Sequence, residues 1–173
     1  MAAVAAGWMP GFKDIKANSM EIDDLITPAS VIANLRPPGK RQALQELARR
    51  AATITKHDER AIFEALWERE RLGSTGIGMG VAVPHGKLPR LAGLYGVFAR
   101  LDRPVDFEAI DDQPVDLIFL LLAPENAGAD HLKALARVSR LFRDRAFCDK
   151  LRGTDRAEAL YALLTDRATS HAA

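Results

Sequence analysis

Residues 73–87 read Gly-Ser-Thr-Gly-Ile-Gly-Met-Gly-Val-Ala-Val-Pro-His-Gly-Lys. Glycines at 73, 76, 78, 80 and 86 exclude a helix here, because each one inside a helix costs about 1 kcal/mol relative to alanine. The segment therefore divides a helical part of the chain from a part built on strands. Val81-Ala82-Val83 is a short β-prone run that Pro84 stops. His85 comes next, on what the pattern makes a strand-ending loop. Pro84 stiffens the approach to it, and Gly86 leaves its far side open.

Upstream, apolar residues recur at helical spacing from Lys40 to Ala52: Ala43, Leu44, Leu47, Ala48 and Ala51. Asp58 can cap a second helix with Ile62, Phe63, Leu66 and Trp67 on its inner face, ending before Gly73. Residues 30–35 read as a short strand or turn, closed by Pro37-Pro38-Gly39. Downstream, Leu94–Leu101 and Val115–Leu122 are strand-like, and the second is apolar on both faces apart from Asp116. A polar loop, Pro104–Pro114, joins them. Helical segments follow at about 129–144, 146–152 and 155–165, with Thr154 or Asp155 placed to cap the last. This order predicts an α/β fold, a single-domain sandwich with a small mixed β-sheet flanked by helices. The domain is expected over residues 21–166. Residues 1–20 form an N-terminal extension without clear period, expected to be loosely ordered, and residues 167–173 a C-terminal tail.

Composition narrows the classes of function. The chain has 173 residues, 48% of them hydrophobic and 27% charged, which suits one domain with a substantial core. Lys and Arg number 24 against 23 Asp and Glu, a net charge of +1. No basic excess marks a nucleic-acid partner. Arg49-Arg50 and Arg137, Arg140, Arg143 and Arg145 read as solvated helix faces. The single cysteine, Cys148, permits neither an internal disulfide nor a cysteine-based zinc cluster. It reads as a small core residue. The longest apolar run, Leu117–Ala123, is too short to cross a bilayer as a helix. The N-terminus lacks the charged flank and long apolar stretch of a signal peptide. A cytoplasmic protein is expected, without membrane insertion.

Several familiar readings of the glycine-rich segment fail. Gly80 and Gly86-Lys87 are one residue too far apart for a P-loop, and Leu88 stands where a hydroxyl should. Gly76, Gly78 and Gly80 have the wrong spacing for a dinucleotide fingerprint and open no helix. Ser74 lacks the frame of a nucleophile elbow. What remains is backbone: glycine amides can approach an anion closely. A histidine held beside them can be exposed and fixed at once, and neutral imidazole is a competent nucleophile at physiological pH. His131 opens a helix, where the dipole favours an anion. Arg69 closes the helix before the glycine run, where its guanidinium could fork onto phosphoryl oxygens. On these residues alone, a loop histidine with only a structural hydrogen bond stays open for His85. A capping-region residue stays open for His131, and a surface charge for Arg69. His57 and His171 read as structural or incidental.

The run from Arg69 to Lys87, Arg-Glu-Arg-Leu-Gly-Ser-Thr-Gly-Ile-Gly-Met-Gly-Val-Ala-Val-Pro-His-Gly-Lys, resembles the signature of the fructose/mannitol-type enzyme IIA domains of the bacterial phosphotransferase system. It is most similar to the nitrogen-regulatory branch, IIA-Ntr. The resemblance continues through Phe107–Leu117 and the His131-Leu132 helix and covers roughly residues 20–165. It implies that His85 is the phosphorylated histidine, at Nε2, and that Arg69 and His131 contact the phosphoryl group or orient the site. It implies that Thr75, Gly76, Gly78, Gly80 and Gly86 line the site through hydroxyl or backbone groups. It implies no cofactor and no metal. The phosphoryl donor would be a small HPr-like carrier (NPr in this branch), charged by a phosphoenolpyruvate-dependent enzyme I. Regulated targets would be transporters or kinases. Two rivals share the sequence: a sugar-transport enzyme IIA passing phosphate to a IIB component, and a binding module in which His85 no longer reacts.

Overall fold

Two long strands, Tyr95–Val105 (β5) and Val115–Pro124 (β6), form the antiparallel centre of the molecule. The computed structural model describes residues 20–170, with side chains described through Asp166. Val31–Leu35 (β1) lies parallel to β5 on its outer side. On the other side of β6 the chain lays down three short strands, Gly76–Gly78 (β2), Val81–Ala82 (β3) and His85–Leu88 (β4). Both β3 and β4 run parallel to β6, one after the other along its edge, and β2 turns back antiparallel to β3. The six-stranded sheet has the order β1-β5-β6-β3-β2, with β4 also on β6. It is mixed, as the sequence predicts.

The helices are Lys40–Thr55 (α1), Glu59–Leu72 (α2), Ala129–Leu141 (α3), Arg145–Arg152 (α4) and Ala157–Ser170 (α5). Asp58 caps α2 as expected, its carboxylate accepting from the Ala61 N–H at 2.9 Å. Two short 3-10 turns, Ile22–Asp24 and Pro28–Ser30, lead into β1. Alternate residues of β5 and β6 enter two separate apolar cores. Ala99, Ile118 and Leu120 pack with α1 and α2 through Leu44, Leu47, Ile62 and Leu66. Phe98, Leu117 and Phe119 pack with the later helices through Val138, Phe142, Leu151 and Leu160. Helices thus cover both faces, which is why β6 is apolar on both. Cys148 is buried in the second core, and burial pushes its thiol pKa up.

Three differences from the sequence reading have physical causes. Strand β5 continues past Leu101 to Val105, because its register shifts between Arg100 and Val105 and the irregularity accommodates Pro104. Strands β2 and β4 are glycine-bearing and very short, so their sequences carry no alternation to detect. Helix α3 ends at Leu141, and α5 runs on to Ser170, past the boundary expected at 166. Residues 1–19 and 171–173, including His171, lie outside the described residues, so the expected looseness of the N-terminal extension falls outside them too.

Candidate functional site

His85 is the first residue of β4 and pairs with Leu121 of β6, rather than sitting on a strand-ending loop. Pro84 interrupts β3 without taking the chain off the edge of β6: its carbonyl accepts from the Leu121 N–H at 2.9 Å. The imidazole is half-buried, and both ring nitrogens have partners. Nδ1 lies 3.0 Å from the Val83 carbonyl. A carbonyl oxygen only accepts, so Nδ1 carries the proton. Arg69 Nε donates to Nε2 at 3.2 Å, and a guanidinium only donates, so Nε2 offers its lone pair. The two contacts select the same tautomer, which presents Nε2 as the nucleophilic nitrogen. The pKa of His85 is lowered from 6.5, chiefly by burial. The Val83 carbonyl works against that, Arg69 adds to it, and Glu70 opposes it. The ring is therefore neutral, and competent for attack, at physiological pH.

Arg69 lies in the last turn of α2 and also donates to the Gly73 carbonyl at 2.8 Å, which fixes the guanidinium. Close approach of α2 to β4 makes this reach workable. A Cβ on Gly86 would stand 3.4 Å from the Cβ of Ala65, one turn before Arg69. His131 is the third residue of α3, 6% exposed, with its ring centre 5.6 Å from that of His85. Its Nδ1 is buried without a partner. A buried N–H left unpaired is costly, so the proton of the neutral ring belongs on Nε2. Burial lowers its pKa first, followed by the neighbouring His85 and Lys87. The structure thus brings together the three side chains His85, Arg69 and His131.

The other expected site residues are spread further. Thr75 is buried, and both its N–H and its hydroxyl donate to Glu70. The Gly76 N–H donates to the Ser74 hydroxyl at 3.1 Å. Gly78 and Gly80 have positive φ, 98° and 78°, and with Met79 they form the turn between β2 and β3. The Gly80 carbonyl accepts from the N–H groups of Asp116 and Leu117, while His85 is level with Leu121. At about 3.3 Å per residue along β6, Gly80 is about 13–16 Å from His85. The expectation that Gly78 and Gly80 cradle an anion beside His85 is corrected: their freedom serves the hairpin turn. Gly86 sits at the site, where it admits α2.

The family described as "Phosphoenolpyruvate-dependent sugar phosphotransferase system, EIIA 2" matches residues 24–167. The chain belongs to this family. It is 59% identical over 145 residues to a nitrogen regulatory protein of Bradyrhizobium diazoefficiens, covering 84% of this chain and 95% of that protein. The crystal structure of the nitrogen regulatory protein IIA-Ntr from Neisseria meningitidis superposes with a TM-score of 0.79 at 34% identity, covering 83% of this chain and 99% of that one. The mannitol IIA of Escherichia coli shares the fold, with a TM-score of 0.70 at 20% identity over 80% of this chain and 98% of that one. EIIA components are phosphotransfer proteins that exchange phosphate with phosphocarriers and IIB partners. Among the described residues of this EIIA chain, no helix is long and apolar enough to cross a membrane.

Sequence reading missed one feature of this EIIA site. Glu70 is 4% exposed and pairs with Lys40 Nζ at 2.8 Å. The signal was present in the spacing: Ile62, Leu66 and Glu70 fall four residues apart and are the buried residues of α2. A carboxylate in register with an apolar stripe needs a buried partner, and Lys40 stands four residues before Leu44 on the buried stripe of α1. His57 is accounted for structurally, with its Nε2 3.0 Å from the Pro89 carbonyl.

Proposed function

We propose that His85 accepts a phosphoryl group on Nε2 from an HPr-like carrier (NPr), and that its phosphorylation state carries a nitrogen or metabolic signal to regulated transporters or kinases. One observation carries this reading: the Val83 carbonyl and Arg69 together leave the Nε2 lone pair as the reactive face of a neutral imidazole. The relatives named nitrogen regulatory protein favour the regulatory role over sugar uptake. The functional unit is taken as residues 21–166, acting in the cytoplasm.

The transfer is an in-line exchange between two histidines. The Nε2–P bond forms on His85 as the N–P bond of the donor breaks, and the electron pair of that bond stays on the donor imidazole. Positive charge grows on the His85 ring, where the Val83 carbonyl disperses it through Nδ1–H. Arg69 Nε occupies the His85 Nε2 lone pair before transfer, so its hydrogen bond breaks and moves to a phosphoryl oxygen as the Nε2–P bond forms. His131 donates from Nε2 to another. Thr75, Gly76 and Gly86 shape the wall behind them. Phosphorylation adds about two negative charges to a chain of net charge +1, enough to change which surfaces it binds.

The test is incubation with enzyme I, the HPr-like carrier and phosphoenolpyruvate, followed by intact-mass measurement. Wild type gains one acid-labile phosphoryl group and His85→Ala gains none. A loaded His85→Ala protein would refute the assignment. Rapid onward transfer to a sugar-specific IIB domain would move the role to sugar uptake.

A further inference from the structure

A buried ion pair stands behind the acceptor histidine. The Glu70 carboxylate accepts from Lys40 Nζ at 2.8 Å and from the Thr75 N–H at 3.1 Å, with the Thr75 hydroxyl as a third donor. Lys40 Nζ also donates to the Phe107 carbonyl at 3.2 Å and lies 5.3 Å from the centre of the Phe107 ring. The Ser74 hydroxyl donates to the same carbonyl. Four segments meet there: the first residue of α1, the last turn of α2, the residue before β2 and the loop after β5.

Two features of the pair ask for a cause. Buried ion pairs are generally no more stabilising than apolar residues of the same volume, and the same stripe of α2 uses Ile62 and Leu66. The pair also adjoins Arg69, and the Glu70 charge is felt at His85. The charged and titratable groups facing His85 are Arg69 and Glu70 on α2 and His131 on α3, with Lys40 of α1 behind Glu70 and Lys87 of β4 acting on His131.

We propose that Lys40 and Glu70 are a positioning pair for phosphoryl transfer: Glu70 fixes the last turn of α2, and with it Arg69, against His85 Nε2, while Lys40 cancels the carboxylate charge that would repel an incoming dianion. The inference rests on His85 being the phosphoryl acceptor. Without Glu70, the two Thr75 donors lose their acceptor and the turn from α2 into β2 loosens beneath Arg69. Without Lys40, the carboxylate behind the site loses its counter-charge and opposes the phosphoryl group.

Lys40→Met, Glu70→Gln and Lys40→Arg are compared with wild type in two measurements: loading from the HPr-like donor, and NMR titration of the His85 ring. Lys40→Met is expected to load about tenfold slower and to titrate His85 at higher pH. Glu70→Gln is expected to titrate it at lower pH, because a carboxylate that favours the imidazolium is gone. Lys40→Arg keeps the charge and stays within about threefold of wild-type loading. A pair that only holds the fold together would leave loading by the folded variants at the wild-type rate, whereas loss of the Glu70 charge shifts the His85 titration in either case. The proposal is overturned if Lys40→Met and Glu70→Gln fold and load at the wild-type rate, whatever their His85 titration. Should either fail to fold, Thr75→Val decides, since it removes one donor from Glu70 at nearly constant shape; loading at the wild-type rate there also overturns the proposal. Wild type that takes no phosphate at His85 ends the acceptor reading itself. Wild type that takes it, beside variants that load identically, ends only the role of the pair.

Discussion

The imidazole of His85 is defined by what each of its nitrogens touches. A single contact would leave the tautomer free, whereas a pure acceptor at Nδ1 and a pure donor at Nε2 leave one arrangement. In the proposed transfer Arg69 has two tasks: it holds the ring through Nε2 before transfer and meets the phosphoryl oxygens after it. Arg69→Gln should lower the initial loading rate by about 100-fold, the range found when one donor to a developing anion is removed. It should also raise the His85 pKa, because the guanidinium charge opposes protonation of the ring. Stopped reaction time courses and ring titration check the two effects; a normal loading rate would remove Arg69 from the site. The sequence alone could place His85, Arg69 and His131 as candidates but could not join them. They come from β4, α2 and α3, and only the packing of helices on both sheet faces brings them together. Glu70 was legible in principle, as a carboxylate on an apolar stripe, and Lys40 as its partner was not, because nothing local links residue 40 to residue 70.

At the scale of elements, helices were easier to read than strands because their period spans many residues. Helices α1 and α2 declare themselves through Ala43, Leu44, Leu47, Ile62 and Leu66. Strands β2 and β4 do not, since their bonds are made to β3 and β6 and their own residues carry little pattern. The glycine-rich run suggests an anion cradle, but in the structure Gly78 and Gly80 make the hairpin turn and Gly86 admits α2. Gly96, outside that run, has a packing role within β5: a Cβ there would stand 2.7 Å and 2.8 Å from ring atoms of Phe119 and 3.1 Å from Ile26. Phe119 is fully buried, and Phe142 packs against it, so the ring has little room to retreat. Gly96→Ala should therefore destabilise the fold by about 1–3 kcal/mol through overpacking. A urea midpoint that does not move would show that the ring yields more readily than its surroundings suggest.

For the whole molecule, the two site histidines make folding itself sensitive to pH. Both His85 and His131 are held below their ordinary value of 6.5, in each case chiefly by burial. The unfolded chain then binds more protons than the folded one once the pH falls below about 6.5, so stability must fall with pH there. Each histidine can contribute at most about 1.4 kcal/mol per pH unit to that slope. The contribution is fully present above pH 6.5 and is lost downward from it until the folded protein also takes up its protons. Asp102 and Asp111 do not confuse this window. Arg36 and the Met79 N–H hold them below their ordinary value of 3.8, so the stability they supply is lost only further into acid. Urea unfolding followed from about pH 8 to about pH 5 should show a declining midpoint in wild type and a flatter line in a His85→Gln/His131→Gln variant. The slope is the quantity to compare, because the substitutions can shift the whole curve by changing packing. Equal slopes in the two proteins would mean that these imidazoles enter the folded state without resisting protonation, and the neutral nucleophile on which transfer depends would have to be maintained by the donor complex instead.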